Sequence, residues 1–328
     1  GALLLEPQRT NLITYSNDYA DTYWQKSKTG SAIAPIVTSN YAISPDGTQN
    51  ADRIQFDATT SGSNSDTSRF RTTITLVDGL DYTISFYAKS KGVTDQKIGI
   101  IFDNSQRSVF TITNEWQRFT KTSTQTGTNS ICGLDLRGAV DSTSDILVYG
   151  IQVEQGSYAT SYIPTNGATA TRNQEICNNA TPEINSEEGV LYAEISALDN
   201  PTSQEIALSV SEGQLGANRL LIRMKTNGAI GIVLRVANTT QATIDSGVLN
   251  QLANHKVAVK WKVNDIALWI DGVEVGTDNL ANVFPVNTLD EFSFNQGNNS
   301  NQFYGNTKDV RVYNTALTDA QLQTLTTI

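Results

Sequence analysis

Val257-Ala258-Val259-Lys260-Trp261-Lys262-Val263-Asn264-Asp265-Ile266-Ala267-Leu268-Trp269-Ile270-Asp271-Gly272-Val273-Glu274-Val275 is the stretch that decides the fold. Its first run places apolar side chains at every second residue, which is the period of a half-buried β-strand. Asn264-Asp265 and Asp271-Gly272 separate three such runs, and these residue types tolerate the positive φ of tight hairpin turns. The stretch therefore predicts a three-stranded antiparallel meander over residues 256–276, with the strand spacing of a β-sandwich.

The same alternation recurs on both sides of this meander. The clearest inward-facing sets are Ile84, Phe86 and Ala88, then Ile98, Ile100 and Phe102, and in the second half Leu191, Ala193 and Ile195. Leu147, Tyr149, Ile151 and Val153 form another alternating run. The neighbouring Ile146 and Val148 are apolar as well, which indicates a strand buried on both faces. The pattern predicts an all-β chain.

Length and turn chemistry divide the chain in two. Domains cluster at about 100–200 residues, so 328 residues suit two sandwiches. A polar stretch with Pro164, Gly167 and Pro182 contains few apolar residues. We predict tandem antiparallel sandwiches over residues 1–165 and 186–328, joined by a linker at 166–185.

One short helix is predicted at the C-terminus. Thr318 is a good N-cap, and Gln321 three residues later completes a capping box. Leu317 and Leu322 occupy the two hydrophobic staple positions, so Leu322 is expected to face the sandwich.

The charge of the chain restricts its partners. With a formal net charge of −10 and no run of Lys or Arg, it is predicted to bind neither nucleic acid nor an anionic membrane surface. A neutral polysaccharide is compatible with this charge, and solubility alone is the competing explanation. No apolar run approaches the ~20 residues of a membrane span, so no membrane insertion is expected. The chain begins without Met or a basic signal region, which indicates a fragment or processed piece of a longer protein.

The two cysteines are too few for a disulfide framework or a zinc site. Cys132 alternates with Leu134 and Leu136 and is predicted to be a core residue, whereas Cys177 is predicted to be a linker thiol. The redox compartment therefore stays open.

Residues for catalysis are sparse. His255 is the only histidine and is expected in a surface turn. A glucanase of the sandwich type carries carboxylates at alternate positions of one strand, but Glu194 stands alone and Asp290-Glu291 are adjacent. We therefore predict no enzymatic activity and no required cofactor; a pair of acids assembled from distant strands is the alternative.

A binding face is predicted in the first half instead. If Phe86, Phe70 and Leu134 point inward, alternation turns their neighbours outward. These outward residues are Tyr87, Arg69, Arg71, Asp135 and Arg137. An aromatic ring beside planar polar groups is suited to sugars, so we predict that they share one glycan-binding face. The competing interpretation is a solvated face with ordinary cross-strand ion pairs.

A second candidate site lies in the amide-rich segment 295–302. Asn298 and Asn299, with Tyr304 nearby, are the secondary candidates for sugar binding, and a flexible loop tip is the alternative.

Several segments resemble known families. Leu3-Leu4-Leu5-Glu6-Pro7-Gln8-Arg9-Thr10-Asn11-Leu12 and Ile151-Gln152-Val153-Glu154-Gln155-Gly156-Ser157-Tyr158-Ala159-Thr160-Ser161-Tyr162-Ile163-Pro164 resemble segments that recur in phage tail and tail-fibre proteins. Tyr82–Ser90 and Trp116–Phe119 are similar to jelly-roll carbohydrate-binding modules of the family 4/9/22 type. Gly189–Glu194, Ala267–Gly272 and Lys308–Asn314 resemble concanavalin A-like, laminin G-like sandwiches.

These resemblances imply two tandem jelly rolls in a virion tail or extracellular protein that binds a host-surface or environmental glycan. Tail fibres imply a homotrimer. The carbohydrate-binding modules usually hold a structural calcium through an Asp of the last strand, but the matching Val148-Tyr149-Gly150-Ile151 has no carboxylate. Calcium at that position is not expected, and a metal elsewhere stays open. Two alternatives remain, an accessory region of a polysaccharide-degrading enzyme and a purely structural virion module.

Overall fold

The computed structural model describes residues 1–59, 62–102 and 107–328. Over these residues the chain forms antiparallel sheets and one short helix, which confirms the predicted fold class. It divides into two compact units. We call Gln8–Asn173 the first sandwich, and Gly1–Pro7 together with Gln174–Ile328 the second sandwich.

The elements follow in chain order. They are β1 (Leu3–Leu5), β2 (Arg9–Asn11), β3 (Gln25–Thr29), β4 (Ile33–Ala42), β5 (Ala51–Asp57), β6 (Thr67–Thr75), β7 (Asp81–Ser90), β8 (Gln96–Ile101), β9 (Arg107–Ile112), β10 (Gln117–Thr124), β11 (Asn129–Arg137), β12 (Thr143–Gln155), β13 (Ala170–Arg172), β14 (Glu188–Ala197), β15 (Ile206–Ser211), β16 (Arg219–Met224), β17 (Ala229–Val236), β18 (Thr239–Val248), β19 (His255–Lys262), β20 (Ile266–Ile270), β21 (Val273–Asp278), β22 (Glu291–Ser293), β23 (Gly305–Tyr313) and α1 (Asp319–Thr326).

The first sandwich has two five-stranded sheets. Sheet I has the order β10-β7-β12-β5-β4 and sheet II the order β3-β6-β11-β8-β9, while β2 and β13 form a separate pair. Phe86 of sheet I and Phe70, Ile100 and Leu134 of sheet II are fully buried in one core. Trp24 lies in the same core, stacked on Phe70 with ring centroids 4.6 Å apart. The inward positions predicted from alternation are confirmed.

The segments around β2 and the end of β12 are held together by a few buried polar groups. Asn11 Nδ2 donates to the Ile163 carbonyl over 2.8 Å, and Asn11 Oδ1 accepts from the Val153 amide. Glu154, whose side chain is fully buried, accepts a hydrogen bond from the Thr160 amide over 2.7 Å. Residues 9–11 and 153–163 therefore contact each other within the first sandwich.

The second sandwich has a six-stranded and a five-stranded sheet. Sheet III has the order β1-β23-β14-β19-β20-β21, and sheet IV has the order β18-β17-β16-β15-β22. Trp261, Leu268, Leu220 and Ile232 are buried in the core between them. Trp269 is also buried, in a smaller cluster with Leu322 of α1.

The N-terminal strand belongs to this second sandwich. The sequence placed residues 1–7 with the first half, but β1 pairs with β23, with Leu4 opposite Asn306. Leu5 completes the second core and is 4% exposed. A strand of three residues is too short to show an alternating pattern, and its pairing with a strand about 300 residues away leaves no trace in the local sequence.

The predicted linker contributes backbone pairs to both units. β13 pairs with β2 in the first sandwich. Further along, the Phe294 amide donates to the Cys177 carbonyl over 2.9 Å, and the Phe292 amide to the Ala180 carbonyl over 2.7 Å. Cys177, expected to be a linker thiol, packs against the second core.

The turns and the helix follow their local sequence. Asn264, Asp271 and Gly272 have φ values of 58°, 51° and 80°, as tight hairpins require. Thr318 caps α1 with a complete capping box. Leu322 is fully buried.

Candidate functional site

Sheet II brings four of the five predicted site residues together. Arg69 and Arg71 lie on β6, and Asp135 and Arg137 lie on β11, with Asp135 directly opposite Arg69. Their neighbours Phe70 and Leu134 are fully buried, so all four project from the outer face of the sheet.

Asp135 is the anionic centre of this face. Its side chain has no exposure to solvent, and it pairs with Arg107 Nε at 2.6 Å and Arg137 Nε at 2.9 Å. Charge-assisted hydrogen bonds of this length are the strong class. Asp135 therefore orients two guanidinium groups and neutralises part of their charge.

Arg107 was missed by the sequence interpretation. It lies on β9, and β8 separates β9 from β11. The side chain crosses β8 at Gly99, which is opposite Asp135 in the register. A Cβ at Gly99 would lie 2.2 Å from Asp135 Oδ1 and 2.5 Å from Arg107 Nη2. Because Gly99 has no side chain, the Arg107 side chain can cross β8 and reach Asp135. The alternation of apolar and polar residues along a strand gives no information about such a contact.

Arg69 and Arg71 differ from the two paired arginines. Neither forms an ion pair with a carboxylate among the described residues, and the Nε of each is buried without a hydrogen-bond partner. Burial lowers the pKa of the Arg69 guanidinium, and the charge of Arg71 lowers it further. Together with Arg107 and Arg137 they place four guanidinium groups around one carboxylate. We call this set the arginine face.

Tyr87 is not part of the arginine face, and the prediction of a single shared face is wrong for this residue. It lies on β7 in sheet I, whereas β6 and β11 belong to sheet II. Alternation shows which side of its own strand a residue occupies, but not which sheet the strand joins.

Tyr87 lies instead in a row of aromatic rings. The Arg118 guanidinium is 5.3 Å above its ring, and the ring centroids of Tyr87 and Tyr149 are 6.1 Å apart. Tyr149 in turn contacts Tyr162 at 5.2 Å. Gly150, with φ of 64° at a β-bulge in β12, leaves room for the Tyr162 ring, because a Cβ there would lie 3.2 Å from it.

A cavity of 470 Å³ borders Tyr149 and Tyr162. Its other lining residues are Asn17, Asp18, Asp46, Asn50, Pro164, Thr165 and Asn166. Asp46 Oδ2 accepts hydrogen bonds from Tyr149 Oη at 2.8 Å and from Asn50 Nδ2 at 2.9 Å. Thr48 donates to Asp46 Oδ1, and the hydrogen bonds from Asn50 and Thr48 are the main reason that the pKa of Asp46 lies well below its usual range. Its carboxylate therefore fixes the rim of the cavity.

The secondary candidates lie in the second sandwich, where each of them is hydrogen-bonded. The Asn299 amide donates to Gln214 Oε1 over 2.9 Å, and Asn178 Nδ2 donates to Asn299 Oδ1 over 3.1 Å. Asn298 Oδ1 accepts hydrogen bonds from Ser300, and Tyr304 Oη donates to Gln174 Oε1 over 2.7 Å. These contacts connect the three residues to Gln214, Asn178, Ser300 and Gln174.

His255 occupies a different environment from the one predicted. It is only 7% exposed. Nδ1 lies 2.6 Å from Asp271 Oδ2, and Nε2 lies 3.0 Å from the Asn250 carbonyl. Both ring nitrogens therefore have partners within the protein.

The described part of the chain has neither a cluster of metal-ligating side chains nor a membrane-spanning helix. Among residues 1–59, 62–102 and 107–328, no three His, Cys, Asp or Glu side chains are grouped closely enough to hold a metal ion. Within the same ranges no helix has the length and apolar character needed to cross a membrane.

Comparison with known proteins finds matches of two kinds. Residues 185–323 match the family described as the concanavalin A-like lectin/glucanases superfamily. No curated protein matches the chain. Among solved structures, the CBM40 of the Ruminococcus gnavus IT-sialidase is 21% identical with a TM-score of 0.38, over 44% of this chain and 84% of that one.

Two further structures are similar at the same level. A SAP-like pentraxin from Limulus polyphemus is 14% identical with a TM-score of 0.34, over 45% of this chain and 73% of that one. A leech intramolecular trans-sialidase is 19% identical with a TM-score of 0.37, over 47% and 28%. The family match confirms the predicted resemblance: residues 185–323 are similar to the concanavalin A-like, laminin G-like sandwiches.

Proposed function

We propose that this chain is a non-catalytic binding protein whose first sandwich binds a glycan carrying acidic groups, through the arginine face. The observation that carries the proposal is the pair Arg69 and Arg71, which have no described carboxylate partner beside the paired Arg107 and Arg137. The planar guanidinium group presents two parallel donors to a carboxylate or sulfate, so an acidic sugar is the matching ligand class.

The arrangement separates two roles. Asp135 fixes Arg107 and Arg137 by short ion pairs, which limits the conformational entropy that these side chains lose when a ligand binds. Arg69 and Arg71 supply the unneutralised charge. The chain as a whole has a net charge of −10, which repels an anionic ligand at long range. Salt screens this repulsion beyond about one Debye length, so a ligand close to the arginine face is attracted by the nearby guanidinium groups.

The test is a glycan array that displays acidic sugars beside their neutral counterparts. We expect the intact chain to retain acidic glycans, and Arg71→Ala to weaken retention about tenfold, the effect of losing ~1.4 kcal/mol. Arg53→Ala is the matched control, because Arg53 is an outward arginine of sheet I already paired with Asp145 at 2.6 Å. Retention of neutral glycans only, or an unchanged Arg71→Ala variant, would contradict the proposal.

We further propose that the chain is exposed on a virion tail or outside the cell and that it assembles as a homotrimer. The support for this placement is the likeness of residues 3–12 and 151–164 to segments of tail proteins. Labelled antibodies on purified particles test the location, and light scattering of the eluted protein tests the trimer. If the antibodies detect the chain on the particle but the chain binds no glycan, the purely structural virion module is favoured instead.

A further inference from the structure

A second group of arginines lies in the other sandwich. Arg219 on β16 is directly opposite Arg235 on β17. The neighbouring Leu220 and Leu234 are fully buried in the second core, so both arginines project from the outer face of sheet IV. Like charges at directly opposed positions of neighbouring strands destabilise a sheet.

The cost is increased by burial. Arg219 is 8% exposed, and its Nε is buried without a hydrogen-bond partner. The Nε of Arg235 is likewise buried and unpartnered. Burial lowers the pKa of Arg219, and the charge of Arg235 lowers it further. The two cations thus share a poorly hydrated position.

Counter-charges are placed elsewhere on the same face. Arg223 follows Arg219 by four residues on β16 and pairs with Glu205 and with Asp245, each at 3.3 Å. Within the described ranges, neither Arg219 nor Arg235 has such an ion pair. Of these three arginines, Arg223 therefore has carboxylate partners among the described residues, whereas Arg219 and Arg235 have none within ion-pair distance.

Polar loops border this pair. Arg219 Nη1 donates to the Gln296 carbonyl over 3.0 Å, which holds one end of the guanidinium. A Cβ at Gly216 would lie 3.1 Å from both Arg219 Nη1 and Asn298 Cβ, so Asn298 lies close to the arginine. Asn298, which the sequence predicted as a secondary candidate, is therefore near Arg219, which it did not identify.

We propose that Arg219 and Arg235 form a second anion-binding site, which accepts a carboxylate or sulfate group of a saccharide. The oxyanion would supply acceptors for the two Nε–H groups and a counter-charge at ion-pair distance, which no described carboxylate provides to Arg219 or Arg235. This site is in the second sandwich and does not depend on the arginine face of the first.

The test uses three probes on the full chain labelled with ¹⁵N, namely D-glucuronate, inorganic sulfate and D-glucose. D-Glucose is the neutral counterpart of D-glucuronate, with a hydroxymethyl group in place of the carboxylate. We expect the Nε–H signals of Arg219 and Arg235 to shift saturably with glucuronate or sulfate and to stay unmoved with glucose. Whichever anion binds more tightly identifies a carboxylate or a sulfate ester as the group recognised.

Variants separate this site from its surroundings. Arg235→Gln should weaken anion binding at least about tenfold. Arg223→Gln should leave it unchanged, because Arg223 is already paired. Arg71→Ala should leave the Arg219 and Arg235 shifts intact, so a failure of the first site would not affect the result. Absence of any shift with both anions, or shifts that persist at Arg219 in Arg235→Gln, would overturn the inference.

Discussion

Arg107 Nε donates to Asp135 Oδ1 over 2.6 Å across the intervening strand β8. The contact joins β9 to β11, two strands that share no hydrogen-bonded edge. The arginine face therefore depends on a side chain that reaches over a glycine, and this dependence can be tested at each of its parts.

Gly99→Ala should destabilise the first sandwich by about 2–4 kcal/mol, because the new Cβ would displace both partners of a buried ion pair. Urea unfolding measures the loss. Gly92→Ala is the control, since a Cβ there meets nothing within 4 Å, and it should be near neutral. Equal stabilities of the two variants would show that the passage at Gly99 is unimportant.

Asp135→Asn should cost about 3–5 kcal/mol, since it removes the charge between Arg107 and Arg137 while leaving them partly buried. The matched control is Asp145→Asn, which breaks the partly exposed pair with Arg53 and should cost about 1 kcal/mol or less. Thermal or urea unfolding distinguishes the two, and a cost for Asp135→Asn no larger than the control would contradict this role.

Asp52 should make stability fall as the pH rises. Burial raises its pKa to about 6, despite backbone amide bonds from Asn40 and Tyr19, whereas the unfolded chain has about 3.9. The folded state holds the proton more tightly, so this contribution is present below pH ~4 and is lost as pH rises through about 6.

The measurement is urea unfolding of the intact chain and of Asp52→Asn between pH 4 and pH 7. The stability of the intact chain should fall relative to the variant by about 2–3 kcal/mol and then level off. Parallel curves across this range would show that Asp52 does not titrate in the folded state as expected.

Leu5→Ala should destabilise the second sandwich by about 2–3 kcal/mol, because Leu5 is 4% exposed and completes its core. Leu4→Ala on the same strand is the control, since Leu4 is 37% exposed and should matter little. Tryptophan fluorescence follows the unfolding, because Trp261 lies in the same core. An effect of Leu4→Ala as large as that of Leu5→Ala would refute the assignment.

Features of the fold that depend only on neighbouring residues were predicted from the sequence. The inward positions of β7 and β11, the turn at Asp271-Gly272 and the cap at Thr318 depend on neighbours within a few residues, and all were predicted correctly. The outward direction of Arg69 and Arg71 followed from the same alternation.

Relationships between strands were not accessible in this way. Tyr87 was assigned to the wrong sheet because alternation carries no information about strand neighbours. Arg107 was missed since its role depends on Gly99 in another strand, and the pairing of Arg219 with Arg235 depends on a register set by the whole sheet.

The short strand β1 has a consequence for biosynthesis. Leu4 pairs with Asn306, so β1 has no partner strand until β23 has been translated. The first sandwich, Gln8–Asn173, contains all of its own strands and can fold in the meantime. During that interval Leu3, Leu4 and Leu5 form an apolar segment without a partner strand, the kind of nascent segment that chaperones shield from aggregation.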